Sequence, residues 1–251
     1  MKLYGCLFIF GICFSSNATL AQDVAKSWGK AVAYHPASSS SPQALDQVQG
    51  DKPYPVVLFM HGCDGLVNPR SDSHAWGKFL ASQGVLVVIP DSLARSDRQP
   101  SCDPNAGKFG LYPQVHGMRL EELRYATEQI QMLPWFDGKN LIVMGFSEGA
   151  VAAVRTRLTG FRGVIATGWT CTNTKFPAFD GVFLAPEIPL LTISHEDDTT
   201  VSGEHLRGNC GNKTPGRANA EHLSVPGRGH GTYHYEPARQ AVVKFIKGVI
   251  Q

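Results

Sequence analysis

The stretch Leu141-Ile142-Val143-Met144-Gly145-Phe146-Ser147-Glu148-Gly149-Ala150 decides how this chain reads. Its first four residues form a short, unbroken apolar run, the pattern of a strand buried on both faces. Gly-Phe-Ser-Glu-Gly follows at once, and Ala150 to Leu158 then reads as a helix. A serine on so tight a strand-to-helix turn needs small neighbours, because the backbone is strained and packs close to adjacent strands. Gly145 and Gly149 meet that need. Such a turn lifts the Ser147 hydroxyl above the sheet and aims the first amides of the next helix toward it. Ser147 is therefore a candidate nucleophile.

Outward from this stretch, strands and helices alternate. Val56 to Met60 and Val85 to Ile89 are further buried strands, and Lys30 to Tyr34 is a shorter one. Val164 to Ala166, Leu190 to Ile193 and Leu223 to Val225 supply three more. Ser73 to Ser82 carries Trp76, Phe79 and Leu80 at helical spacing. From Met118 to Leu133 apolar residues recur near a 3.6 period, with Glu121, Glu122 and Arg124 between them, until Pro134 closes the helix. Pro237 to Val249 forms a terminal helix. This alternation predicts an α/β domain with a mostly parallel central sheet and helices on both faces. Ligands bind such sheets beyond the carboxyl ends of the strands.

The loops at those ends hold the chemistry. A serine hydroxyl needs a base to attack at neutral pH. His230, in Pro226-Gly227-Arg228-Gly229-His230-Gly231 after the last strand, is the best placed of nine histidines. An imidazole acting so needs a carboxylate to fix its tautomer. Glu196-Asp197-Asp198 follows the strand one loop earlier; Asp198 is the first choice, and Asp197 is the alternative. The order Ser147, Asp198, His230 is that of α/β-hydrolases. His61-Gly62-Cys63-Asp64-Gly65 follows the first long strand, and the N–H groups of Cys63 and Glu148 are candidate oxyanion donors. Each such donor typically lowers the barrier by about 3–4 kcal/mol. His195 reads as structural. The His230/His234 spacing lacks a carboxylate partner in sequence, so no metal site is expected.

Composition sets the frame. The chain has 251 residues, 43% hydrophobic and 18% charged, with a formal charge of +2. That excludes a disordered chain and offers no electrostatic footprint for nucleic acid. Lys2 followed by the apolar run Leu3 to Phe14 is too short to cross a bilayer, and fits a secretory signal cleaved after Ala21. A buried N-terminal helix is the competing reading. Residues 1–21 are then signal peptide, 22–54 an N-terminal strand with a Ser/Pro-rich connection, and 55–251 the catalytic domain. Cleavage removes Cys6 and Cys13 and leaves Cys63, Cys102, Cys171 and Cys210. In an oxidising compartment four cysteines favour two disulfides, with three pairings open.

From about Tyr34 onward the chain resembles an α/β-hydrolase of the dienelactone hydrolase-like group. The resemblance rests on Val56 to Gly65, Ile89 to Arg95, Gly145 to Gly149, Asp198 to Val201 and Pro226 to His230. Two departures matter. Dienelactone hydrolases carry a cysteine nucleophile where this chain has Ser147, and an acidic residue where it has Gly62. Both departures imply a serine esterase. The fold implied pairs Cys63 with Cys102 and Cys171 with Cys210, each pair in loops after neighbouring strands. In the segment Pro90 to Arg95 the family arginine holds a substrate carboxylate; Arg95 carries that expectation here, with a structural pairing to Asp91 as the alternative. Trp169, Phe176, Phe179 and Phe183 are candidates to line an acyl pocket.

The expectation is an exported serine hydrolase, secreted or periplasmic, that cleaves small carboxylic esters without a cofactor. A peptidase or amidase using the same three residues, and a binding protein on the same scaffold, are the alternatives. The expected partner is a small-molecule ester. No nucleic acid, no stable membrane insertion after signal cleavage, and a monomer or weak oligomer complete the reading.

Overall fold

A computed structural model of the chain describes residues 23–50, 52–103 and 106–251. The expected signal peptide, with Cys6 and Cys13, lies outside the described residues. After a helix over 23–29 (α1), the strands are β1 (Val32–Tyr34), β2 (Gln43–Ala44), β3 (Tyr54–Met60), β4 (Leu86–Ile89), β5 (Cys102–Asp103), β6 (Lys108–Phe109), β7 (Phe136–Phe146), β8 (Gly163–Thr167), β9 (Leu190–Asp198) and β10 (Ala220–Gly229). The longer helices are α2 (Asp72–Ser82), α3 (Pro113–Gln131), α4 (Glu148–Arg155) and α5 (Glu236–Val249).

Eight strands form one sheet in the order β10-β9-β8-β7-β3-β4-β1-β2, and β5 pairs with β6 alone. From β10 to β4 every pairing is parallel, whereas β1 runs antiparallel to both β4 and β2. The N-terminal segment therefore extends the sheet of the main domain.

Each strand sends alternate side chains to opposite faces, as its period of two requires. Val56, Leu58 and Met60 of β3 pack with Leu123, Ala126 and Ile130 of α3 and with Val151 and Val154 of α4. Val57 and Phe59 pack on the other face with Trp76 and Leu80 of α2 and Val242 and Ile246 of α5. Fully burying one such aliphatic or aromatic side chain stabilises the fold by about 1.5–3 kcal/mol. Burial on both faces is why β3, β4 and β8 read as continuous apolar runs.

α3 departs from its sequence reading. Glu122, expected among the outward polar positions, is buried, and so is Arg119 one turn earlier. The two form an ion pair at 2.9 Å, which lets charge occupy an otherwise apolar face. Disulfides join Cys63 to Cys102 and Cys171 to Cys210. Among the described residues no helix is long and apolar enough to cross a membrane.

Candidate active site

The loops leaving the carboxyl ends of β3, β7, β9 and β10 meet over the middle of the sheet. Ser147 sits between β7 and α4 with φ 53°, ψ −118°. A non-glycine residue rarely adopts positive φ, and the surroundings hold it there. Its N–H donates to the Thr167 carbonyl (2.9 Å), and its own carbonyl accepts the N–H of Ala150 (2.9 Å). The flanking glycines are required by contact. A Cβ on Gly149 would lie 2.0 Å from the Met60 carbonyl oxygen, and one on Gly145 would lie 2.3 Å from the Gly149 oxygen.

His230 and Asp198 are in direct contact. The His230 ring presents Nδ1 at 2.8 Å and 3.0 Å from the two Asp198 carboxylate oxygens. Asp198 also accepts the N–H groups of Thr200 (2.9 Å) and Val201 (2.8 Å). Burial raises its pKa, but the bonds from His230 and the two amides outweigh burial and hold the carboxyl below its ordinary value. The group is thus ionised at neutral pH, so Nδ1 carries the proton and Nε2 is left as an acceptor. Asp197, the alternative, points the other way along β9 and pairs with exposed Arg228 at 2.9 Å. His195 takes a structural position, donating Nε2–H to the Gly231 carbonyl (3.0 Å) beside His230.

Two cavities flank Ser147. The larger, about 360 Å³, is lined by Phe109, Tyr112, Trp169 and Phe176 together with Ser147. The smaller, about 260 Å³, is lined by Asp64, Asp72, His230 and Gly231, again with Ser147. Cys63, Phe109, Ser147 and Thr200 border both. The Glu148 N–H opens α4 and has no intrahelical acceptor.

The loop that carries Cys63 is held from below. Buried His61 accepts the Ser92 N–H at Nε2 (2.9 Å) and therefore donates Nδ1–H to the Gly62 carbonyl (2.6 Å). Burial, with Arg119 nearby, pushes its pKa well below 6.5, so the ring stays neutral. The side chain of Glu148 runs down into the same layer. Its carboxylate accepts Arg98 Nη2 (2.6 Å) and the Ser101 hydroxyl, with Arg119 Nε at 3.6 Å. Arg119 in turn donates to the His61 carbonyl (2.7 Å).

Several expected lining residues lie elsewhere. Arg95 lines neither cavity. Its guanidinium is buried and donates twice to Asp97 (2.8 and 2.7 Å) and once to Glu121 (2.9 Å), so it has no free donor face for a substrate carboxylate. Asp91, its suggested partner, instead accepts the Leu93 N–H (3.0 Å). Trp169 and Phe176 do line the larger cavity. Phe179 is buried against His116, and Phe183 lies under the Arg155 guanidinium, so neither of these two borders it. The missed wall comes from Phe109, Leu111 and Tyr112 in the loop before α3, and from Val201 and Leu206 after β9. Those loops carry no periodic pattern, and the β5–β6 hairpin that positions Phe109 has two residues per strand.

No protein-family model and no curated protein matches the sequence. Solved structures do match in fold. A Klebsiella pneumoniae protein assigned as a dienelactone hydrolase superposes with TM-score 0.55 at 16% identity, covering 79% of this chain and 89% of that one. The Pyrococcus furiosus esterase Pf2001 gives 0.57 at 18% identity, covering 80% and 85%. Est1E from Butyrivibrio proteoclasticus gives 0.56 at 14%, covering 87% and 93%. At these identities the likeness is one of architecture: the chain has the α/β-hydrolase fold.

Proposed function

We propose that the protein is an exported serine hydrolase that cleaves small carboxylic esters through Ser147, His230 and Asp198. The observation that carries this reading is a strained serine on a strand-to-helix turn, sharing a cavity with a histidine already oriented by a buried carboxylate. His230 Nε2 takes the Ser147 proton as Oγ attacks the ester carbonyl carbon. The oxyanion is held by the N–H groups of Cys63 and Glu148. The carbonyl reforms, the C–O bond to the alcohol breaks, and the proton on Nε2 goes to the departing oxygen. Water, deprotonated by the same nitrogen, then releases the acid from the acyl-enzyme. Asp198 stays ionised throughout and offsets the imidazolium charge. Two disulfides support export, since such bonds persist in oxidising compartments.

Labelling with a fluorophosphonate tests the reading. Wild type incorporates one label and Ser147→Ala incorporates none. Equal labelling of both proteins, or of neither, contradicts it. Matched ester and amide substrates then separate an esterase from an amidase, and faster hydrolysis of the ester is expected.

A further inference from the structure

The two cavities beside Ser147 have different chemistry. On the catalytic reading above, the leaving alcohol must lie on the His230 side, because Nε2 delivers its proton. The acyl group then occupies the other, larger cavity. Its walls are largely apolar, and four of them are aromatic: Phe109, Tyr112, Trp169 and Phe176. Flat walls of this kind favour a ring through offset and edge-to-face contact. Among the described residues no lysine or arginine borders the cavity, so an anionic substituent would meet no permanent positive charge there.

One polar group in this wall is held unusually well. Asn173 borders the cavity and is 1% exposed. Its Oδ1 accepts the Phe176 N–H (2.9 Å), which fixes the orientation of the amide. Its backbone N–H donates to Asp180 (2.8 Å), and Asp180 is itself held by Lys213 at 2.8 Å. The next residue, Thr174, donates its N–H to the His205 carbonyl (2.9 Å), tying the loop to the other cavity-bordering loop. The Cys171–Cys210 disulfide closes the same frame. With Oδ1 committed, Nδ2 has no hydrogen-bond partner among the described residues. A donor held in a fixed orientation on a cavity wall discriminates strongly between ligands that do and do not satisfy it.

We propose, resting on the assignment of Ser147 as nucleophile, that this cavity selects an aromatic acyl group bearing a neutral ring oxygen, and that Asn173 reads the oxygen by donating Nδ2–H to it. An aliphatic acyl chain fills the space but leaves the donor unpaired. A ring carboxylate would enter without a counter-charge.

The test compares methyl 4-methoxycinnamate, whose ring oxygen can only accept, with methyl cinnamate and methyl octanoate, active sites being titrated by fluorophosphonate. Wild type is expected to prefer the methoxylated ester over methyl cinnamate by about tenfold in kcat/KM, the worth of one well-placed hydrogen bond. Asn173→Asp keeps the Oδ1 acceptor for Phe176 but turns the donor into an acceptor, and should bring that ratio to one or below. A ratio taken within one variant is insensitive to the fraction of folded protein. Equal wild-type rates on the two cinnamates, or a faster rate on the octanoate, overturn the proposal while leaving the serine hydrolase intact. A preference unchanged in Asn173→Asp overturns the role of Asn173. Absence of both labelling and hydrolysis overturns the proposal together with the reading beneath it.

Discussion

Glu148, the residue after the candidate nucleophile, presents its carboxylate 2.6 Å from Nη2 of Arg98, with both side chains buried. Arg98 comes from the loop that leads to Cys102 and its disulfide with Cys63. One ion pair therefore joins the serine turn to the loop bracing Cys63, the other proposed oxyanion donor. Replacing Glu148 by Ala leaves the buried Arg98 guanidinium without its carboxylate partner, whereas Arg119 keeps Glu122 at 2.9 Å. Removing one partner of a buried pair typically costs about 3–5 kcal/mol. Urea unfolding of Glu148→Ala should show a loss of that order, and Glu148→Gln a smaller one.

Gly149→Ala places a methyl group 2.0 Å from the Met60 oxygen, against strand backbone that cannot swing aside. Overpacking of a core by a methylene-sized group typically costs about 1–3 kcal/mol, and a backbone clash lies at the upper end. Thermal unfolding checks this. An unchanged melting temperature would show that β3 and α4 can separate more readily than their packing implies.

Asp198 and Asp197 offer a matched pair. The asparagine at 198 can no longer impose the Nδ1–H tautomer, and the analogous change in a serine protease triad costs about 10⁴ in kcat. Asp198→Asn should lose activity on that scale. Asp197→Asn, at a position whose ion-pair partner among the described residues is exposed Arg228, should stay within a few-fold of wild type.

Asp72 sets a pH dependence of opposite sign to that of Asp198. Its Oδ2 accepts the N–H groups of Thr232 (2.7 Å) and Tyr233 (3.2 Å), yet burial outweighs these bonds and raises its pKa above 3.8. A carboxyl raised on folding opposes the native state above its folded pKa, and that opposition disappears below the unfolded value. Asp72→Asn can still accept both amides. It should therefore be more stable than wild type at pH 7, with the gain vanishing as the pH falls below 3.8. Asp198, held low, behaves oppositely: its stabilisation is full above 3.8 and is lost as the pH drops through its lower folded value.

How much of this was legible in the sequence depended on whether a residue's role was local. β3, β4 and β7 to β9 are marked by apolar runs because both sheet faces are covered. β10 is an edge strand with mainly polar, partly exposed residues, so only Leu223 to Val225 stands out of its ten. Ser147 and its glycines follow from turn geometry, and His230 from its place after the last strand. Choosing Asp198 over Asp197 needed the strand's alternation, which extends through both residues of β9. Asn173, Phe109 and Tyr112 were invisible, since loops crossing over a sheet are placed by tertiary contacts that no period encodes. The buried Arg98, Arg119, Glu122 and Glu148 were misread or passed over for a related reason: charge ordinarily marks a solvated face, and only the mutual pairing of these four permits its exception.

The central claim is that Ser147 forms a covalent acyl intermediate. Rapid mixing with p-nitrophenyl acetate, followed by acid quench and peptide mass mapping, addresses it directly. An acetyl group on the peptide containing Ser147, accompanied by a burst of about one p-nitrophenol per active site, is the predicted result. Hydrolysis that persists undiminished in Ser147→Ala, with no acetyl group on that peptide in wild type, would contradict the account.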